Sequence, residues 1–403
     1  MPAKKLAKPR PASVSEGGAL VAVGTTKGLF LLASDRARRR WRTTGPFFPG
    51  LAVYAAAFDG RAGRRRLWAA PQSMHWGAEL AWTDDFGAHW ERPETPLVRF
   101  PESAGASLKN IWQIAPGRAD EPDVLYCGVE PSALFESRDG GRTWALNQAL
   151  WGHPHRSKWM PGFGGLCLHT VLPDPNDPRR LTVASSTGGV YRSDDGGGSW
   201  RPRNSGVRAE FLPEKFPEFG QCVHKIAQHP SRPGRLFLQN HWGLYRSDDG
   251  GDTWKDVANG VPSDFGFCLG VHPRDPDTAF IVPLHSDMFR CTPDGRLRVY
   301  RTRDAGRSWQ AMTRGLPQEG ALETVVRDAM AVDSFEPAGV YFGTRSGKLW
   351  GSRDDGRSWR LLQEGLPPIV CVRAAAIGPT AGRRAARRKT AVRTARRRTR
   401  RAA

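Results

Sequence analysis

Long apolar runs are missing from this 403-residue chain. None approaches the roughly 20 residues that a membrane-spanning helix requires, and no membrane association is expected. Acidic residues are outnumbered: 40 Asp and Glu stand against 60 Lys and Arg, a formal net charge of +20. Cysteine is sparse at six, and no two are spaced as CxxC, which argues against a zinc ribbon. The basic opening MPAKKLAKPRPASVSEGG is followed only by ALVAV before polar GTTKG, too short an apolar core for a signal peptide. The six cysteines therefore read as reduced thiols, and a cytoplasmic location is expected. Proline and glycine are plentiful instead, at 32 and 45, which suits many short strands and turns.

What the chain does contain is a repeated octet. SRDGGRTW at Ser137 to Trp144 returns as TDDFGAHW from Thr83, SDDGGGSW from Ser193, SDDGGDTW from Ser247, TRDAGRSW from Thr302 and SRDDGRSW from Ser352. A worn copy, SDRARRRW, lies at Ser34 to Trp41, and successive copies start 49 to 56 residues apart. Each residue type has a turn-building reason. The glycine takes positive φ without a Cβ penalty, and the Asp two residues before it accepts N–H bonds inside the turn beside the leading Ser or Thr hydroxyl. The closing Trp starts a strand and offers a large apolar face to a neighbouring unit. These carboxylates are expected to be turn scaffolding and not catalytic acids.

The octet resembles the Asp-box, or BNR repeat, of sialidases and related glycosyl hydrolase-like propellers, over residues 19 to 378. The resemblance implies a β-propeller with the octet at the turn between the third and fourth strands of each blade. It does not imply sialidase activity: no FRIP-type segment is present, no three-arginine set is evident beyond Arg327 and Arg373, and Tyr54 is the one tyrosine placed as a nucleophile would be.

Strand signals keep the same beat. The fourth unit reads GLCLHTVL, LTVASS, GGVYRSDD and SWRPRN, and the fifth to seventh follow it. The first unit lacks an innermost strand, while PPIVCVRAAAI after the seventh octet has no octet of its own. Joining them predicts an all-β, seven-bladed propeller of four-stranded antiparallel blades, closed by pairing of the N- and C-terminal strands so that no edge is left open. The expected domains are a disordered basic segment at 1–18, the propeller at 19–378 and a disordered Arg-rich tail at 379–403. That tail holds 11 Lys or Arg and no acid, which predicts non-specific, salt-dependent contact with nucleic acid.

Strand alternation puts the octets and the short first-to-second loops on one face. The long irregular loops fall on the other, where function is expected. Counting back from the end of each innermost strand sets Tyr54, Asn110, His169, His224, Phe267, Asp328 and Arg373 at one level, with Cys167, Cys222 and Cys371 two residues earlier in three blades. Loop residues Trp76, Trp151, His153, His155, Trp159, Glu218, His241, Trp242, Asp264, His285, Asp287 and Arg327 join them, a mixture of aromatic platforms, imidazoles and charges suited to a small polar ligand or sugar. The main expectation is a monomeric propeller binding such a ligand, or a protein partner, at the channel mouth. The alternative is a glycoside hydrolase using Asp328 with Glu218, Asp264 or Asp287, since hydrolysis needs two carboxylates. No cofactor is expected. His169, His224 and Asp328 would be the residues to consider for a metal, but they come from blades four, five and seven.

Overall fold

The computed structural model describes residues 9–75, 77–162 and 164–378. Seven antiparallel four-stranded sheets follow one another around an axis, each with its innermost strand beside that of the next blade. The ring closes where Ile369–Ala376, the innermost strand of blade one, pairs antiparallel with Ala19–Thr25. Blade two departs from the pattern: its third strand is split into Gly77–Ala78 and Ala81–Thr83, both paired to Arg66–Ser73, and its outer edge is a single bridge between Trp82 and Glu91.

The octets form the third-to-fourth turns by one recurring set of bonds. In blade four, Ser193 Oγ donates to Asp195 Oδ1 at 2.7 Å and accepts from the Gly197 N–H at 2.7 Å, while the Ser199 N–H and Oγ–H reach the two Asp195 oxygens at 2.9 and 2.6 Å. Gly197 sits at φ +96°, which a side chain would resist. The Asp139, Asp249, Asp304 and Asp354 turns repeat the pattern. Hydrogen bonds from Ser199 and Ser193 hold the Asp195 carboxyl near 2, so it stays an anion committed to its turn. In the worn octet Ser34 Oγ donates instead to the Arg40 carbonyl at 2.6 Å.

The octet tryptophans tie blades together. Trp254 Nε1 of blade five donates to the Arg203 carbonyl of blade four at 2.8 Å, and Trp309 of blade six does the same to Val257 of blade five at 2.8 Å. The apolar cores accordingly lie between blades; one joins Ala115 and Leu134 of blade three to Leu168, Val183 and Trp200 of blade four. The second strand of blade three, Leu125–Glu130, comes so close to the innermost strand of blade four that a Cβ on Gly128 would lie 2.4 Å from the Leu168 carbonyl.

Residues 9–18, expected to be disordered with the rest of the N-terminal segment, lie against the ring. The Ala12 N–H donates to the Phe86 carbonyl at 3.0 Å, Gly17 donates to Ile377 at 2.8 Å, and Ala12 is buried. The segment supplies backbone donors to carbonyls of the blade-two octet turn and of the residue after the innermost strand of blade one, which its basic composition did not reveal. The Arg-rich tail lies outside the described residues.

The seam between blades seven and one carries a buried ion pair. Arg38 Nη1 lies 3.2 Å from Asp333 Oδ2, with side chains 6% and 1% exposed. Asp333 also accepts from Tyr341 Oη at 2.8 Å and from the Phe335 and Gly339 N–H groups at 3.1 and 2.6 Å. Removing one member of a buried pair strands the other charge, a cost of about 3 to 5 kcal/mol. Asp333→Ala is therefore expected to lower unfolding free energy by about that amount in chemical denaturation. Asp84→Ala, which removes the more exposed partner of Arg66, is expected to cost at most about 1 kcal/mol.

Candidate functional site

Each innermost strand from blade two to blade six carries a bulge, and in all but blade three it falls at the level picked out by counting. Pairing skips one residue between Val53 and Ala55, Leu168 and Thr170, and Val223 and Lys225, which sets Tyr54, His169 and His224 out of the ladder; Phe267 lies within the break between Gly266 and Leu269. Blade three corrects the count. Its skip falls between Ile111 and Gln113, so Trp112 and not Asn110 holds the ring level, and Trp112 packs at a tilt against Tyr54, 5.1 Å between ring centres. Asn110 lies two residues back, buried, its Oδ1 without a partner among the described residues. The proline used to align the strand, Pro116, is itself the last strand residue in blade three, whereas Pro175 lies two residues beyond the strand end in blade four, and that difference accounts for the two-residue miscount. In blade one the irregularity falls nearer Val370, so Arg373 is paired in the ladder, opposite Ala22.

Across the axis these strands are joined by charge. Asp328 of blade seven accepts from Lys225 Nζ of blade five at 2.8 Å and from Arg373 Nη2 of blade one at 2.7 Å. Burial pushes the Asp328 carboxyl up, but the Lys225 and Arg373 charges and their hydrogen bonds outweigh it and hold it near 2. Asp328 is thus a fixed anion, unsuited to give a proton at neutral pH, which corrects its expected part as a catalytic acid. Arg327 spans the same gap: its Nε donates to the His224 carbonyl at 2.6 Å and its Nη1 lies 3.8 Å from Cys167 Sγ of blade four.

The two ring histidines are neutral. Burial pushes both well down, and the Arg327 charge pushes the same way. His169 is committed on both nitrogens, Nε2 to the Val223 carbonyl at 2.9 Å and Nδ1 with Thr170 Oγ1 at 3.0 Å. With His169 and Asp328 both engaged, the set His169, His224 and Asp328 is not assembled as metal ligands.

Above this network, on the face away from the octets, a cavity of about 430 Å³ opens between the long loops of blades three to six. His224, Phe267 and Arg327 form part of its lining from the innermost strands, and His241, Trp242, Phe211, Phe219, Asp287 and Arg290 line it from the loops. Trp242 packs between His241 at 4.3 Å and Phe211 at 4.9 Å. His241 Nε2 lies 3.3 Å from Asp287 Oδ2, and burial lowers its pKa. Lys158, Arg290 and Arg327 against Asp287 make the lining cationic.

The remaining candidates lie elsewhere. Trp159 is buried in blade four and donates to Tyr191 Oη at 3.1 Å; His155 Nδ1 contacts the same hydroxyl at 3.1 Å, with His153 beside it. Trp151 lies under the Arg156 guanidinium at 3.4 Å, and His285 packs on Phe289 at 5.9 Å. Glu218 approaches His155 at 3.9 Å and Asp264 pairs with Arg208 at 3.0 Å, so neither carboxylate is a partner for Asp328. Trp76 lies outside the described residues. Lys225, Phe211, Phe219 and Arg290 were missed. The signal for Lys225 was available: a lysine inside an innermost strand needs a buried anion, and Asp328 was the one acid set at the ring level.

No family model matches the chain. It is 28% identical over 215 residues to an oligoxyloglucan-reducing end-specific xyloglucanase of Emericella nidulans, covering 49% of this chain and 24% of that protein. It is 23% identical over 248 residues to a xyloglucanase of Hypocrea jecorina, covering 55% and 26%. The chain thus spans about a quarter of the length of the curated relatives it matches. Among solved structures, a GH74 enzyme of Niastella koreensis superposes with a TM-score of 0.50 at 14% identity over 86% of this chain and 47% of that one. YCF48 bound to a D1 peptide gives 0.50 at 14% identity, covering 87% of each chain. These superpositions show the fold.

The charge network gives a pH prediction. A carboxyl whose folded value lies below its unfolded one adds stability above the unfolded value, and loses it as pH falls through the folded value. From 3.8 unfolded to about 2 folded, the Asp328 contribution is expected to disappear between about pH 4 and pH 2. Denaturation midpoints of the wild type should therefore fall more steeply over that window than those of Asp328→Asn, which starts less stable at neutral pH.

Proposed function

We propose that this propeller acts on a glycan as a glycoside hydrolase of the kind represented by the xyloglucanases, with the saccharide seated in the channel-mouth cavity. The similarity to those enzymes over about half of the chain carries this reading. The cavity supports it: Trp242 and Phe211 offer flat apolar faces for a pyranose ring, while Arg327, Arg290 and His241 offer donors for hydroxyl groups. The octets agree with it as Asp-box turns of a sialidase-like scaffold. Asp287 is the carboxylate among the described lining residues, and we assign it to proton transfer with His241 as its hydrogen-bonded neighbour. Asp328 holds the cations beneath and transfers no proton.

A second reading, glycan binding without turnover, draws on one observation: the described lining contains one acid, whereas glycoside hydrolysis commonly uses two, roughly 5 to 9.5 Å apart. Incubating the full chain with xyloglucan oligosaccharides and aryl β-glycosides separates the two. Hydrolysis that falls at least about 100-fold in Asp287→Asn supports the enzyme. Saturable binding without turnover, weakened by Trp242→Ala, supports the binding module. Neither turnover nor binding on any glycan overturns both.

A further inference from the structure

The floor of the cavity holds a side-chain group of which the glycan reading uses only His241. Cys222, His224 and His241 bring one sulfur and one nitrogen from each ring to within 4.8 Å of one another. Two segments deliver them: Cys222 directly precedes and His224 lies within the innermost strand of blade five, Val223–His229, and His241 stands in the turn after Arg232–Asn240. Cys222 and His241 are joined at the backbone, the His241 N–H donating to the Cys222 carbonyl at 2.9 Å. Cys222 Sγ lies 3.7 Å from His224 Nε2. A tetrahedral zinc ion with bonds of about 2.3 Å to sulfur and about 2.1 Å to nitrogen would set those atoms about 3.6 Å apart.

Both imidazoles are oriented from behind. His224 Nδ1 lies 2.6 Å from the Gly266 carbonyl, which can only accept, so Nδ1 carries the proton and Nε2 presents its lone pair to Cys222. Phe267 stacks on the His224 ring at 4.4 Å and prevents it from turning. Asp287 holds His241 through Nε2 at 3.3 Å. A carbonyl behind one imidazole and a carboxylate against the other is the outer arrangement that ligating histidines commonly have.

We infer that Cys222, His224 and His241 form a binding site for a thiophilic divalent cation of the zinc type, with a fourth coordination position open to the cavity. Three protein ligands from N and S donors suit zinc or cobalt and not magnesium or calcium, which take oxygen. On binding, the Cys222 S–H bond breaks, its proton leaves to solvent, and the thiolate and two neutral imidazoles each give an electron pair to the cation. Arg327, Arg290 and Lys158 face the site as cations, and the thiolate and Asp287 offset them. The fourth position is where a water or an oxygen of the cavity's occupant would bind. The site stands on this geometry and does not depend on the glycan reading.

Cobalt(II) is the probe, added to the full-length chain without saccharide and followed by absorption. One equivalent is expected to give a thiolate-to-cobalt charge-transfer band with the intense visible bands of a tetrahedral ion, displaced by zinc and not by magnesium. Cys222→Ser should lose the charge-transfer band, and His241→Gln should bind at least about 10-fold more weakly. Asp287→Asn, at an exposed position, is expected to weaken binding about 10- to 100-fold. Cys291→Ser, which removes the other partly exposed thiol, should leave the spectrum intact. Absence of a charge-transfer band in the wild type, or a band that survives Cys222→Ser and is lost in Cys291→Ser, overturns the site. Circular dichroism confirms that each variant is folded before its spectrum is compared.

Discussion

Asp328 is the constraint on which the centre of this propeller depends. It is one buried carboxylate reached by a lysine two blades behind it and an arginine one blade ahead, so a single anion fixes three innermost strands relative to one another. Desolvating three charges is expensive, and attraction repays it only when all are hydrogen-bonded. Lys225 reaches Asp328 through Nζ, while Arg373 also donates to the Asp328 and Val372 carbonyls at 3.1 and 2.9 Å. The network therefore specifies a unique arrangement of the axis more than it adds net stability.

The outer ring is organised differently. There the octets build each turn locally, with Ser or Thr, Asp and Gly satisfying one another, and the tryptophan indoles hand one blade to the next. Closure has two parts, a strand pairing near the axis and the Arg38–Asp333 pair nearer the rim. The worn first octet contributes the arginine of that pair: Arg38 sits at φ +53°, a conformation that would favour glycine, held there by Asp333 and two carbonyls. A copy that lost the repeat pattern thus gained the residue that closes the seam.

Most of the architecture was legible because turn chemistry is local. An octet states its own geometry, seven of them state the blade number, and a surplus strand at the end states the closure. The level of the ring was legible for Tyr54, His169, His224 and Phe267 for the same reason, since strand ends are marked by proline, glycine or serine. It failed at Asn110 because Pro116, taken to mark the end of its strand, lies within the strand, so the count started two residues too early. The loop candidates were the least legible. Trp159 and His155 were read as cavity residues by their type, yet both serve the Tyr191 hydroxyl, a buried polar atom whose need for partners no spacing announces. Phe211 and Arg290 line the cavity from loops with no repeat to align them.

The cavity and the axial network meet at Arg327, and that junction explains how a pocket built on long loops has a rigid floor. Its guanidinium is pinned by the His224 carbonyl, and its neighbour in sequence is Asp328. His224 is pinned in turn by the Gly266 carbonyl and stacked on Phe267. A bulge sets His224 out of the ladder without cutting its strand from the sheet, so the residue keeps a fixed backbone while its ring faces the cavity. Loops supply the walls, where Phe211 is about half exposed at 48% and free to adapt to an occupant. The floor cannot adapt in that way, because moving Arg327 would disturb charges buried at the axis. Whatever the cavity holds is therefore selected from below by fixed donors and fitted from above by adaptable aromatic side chains.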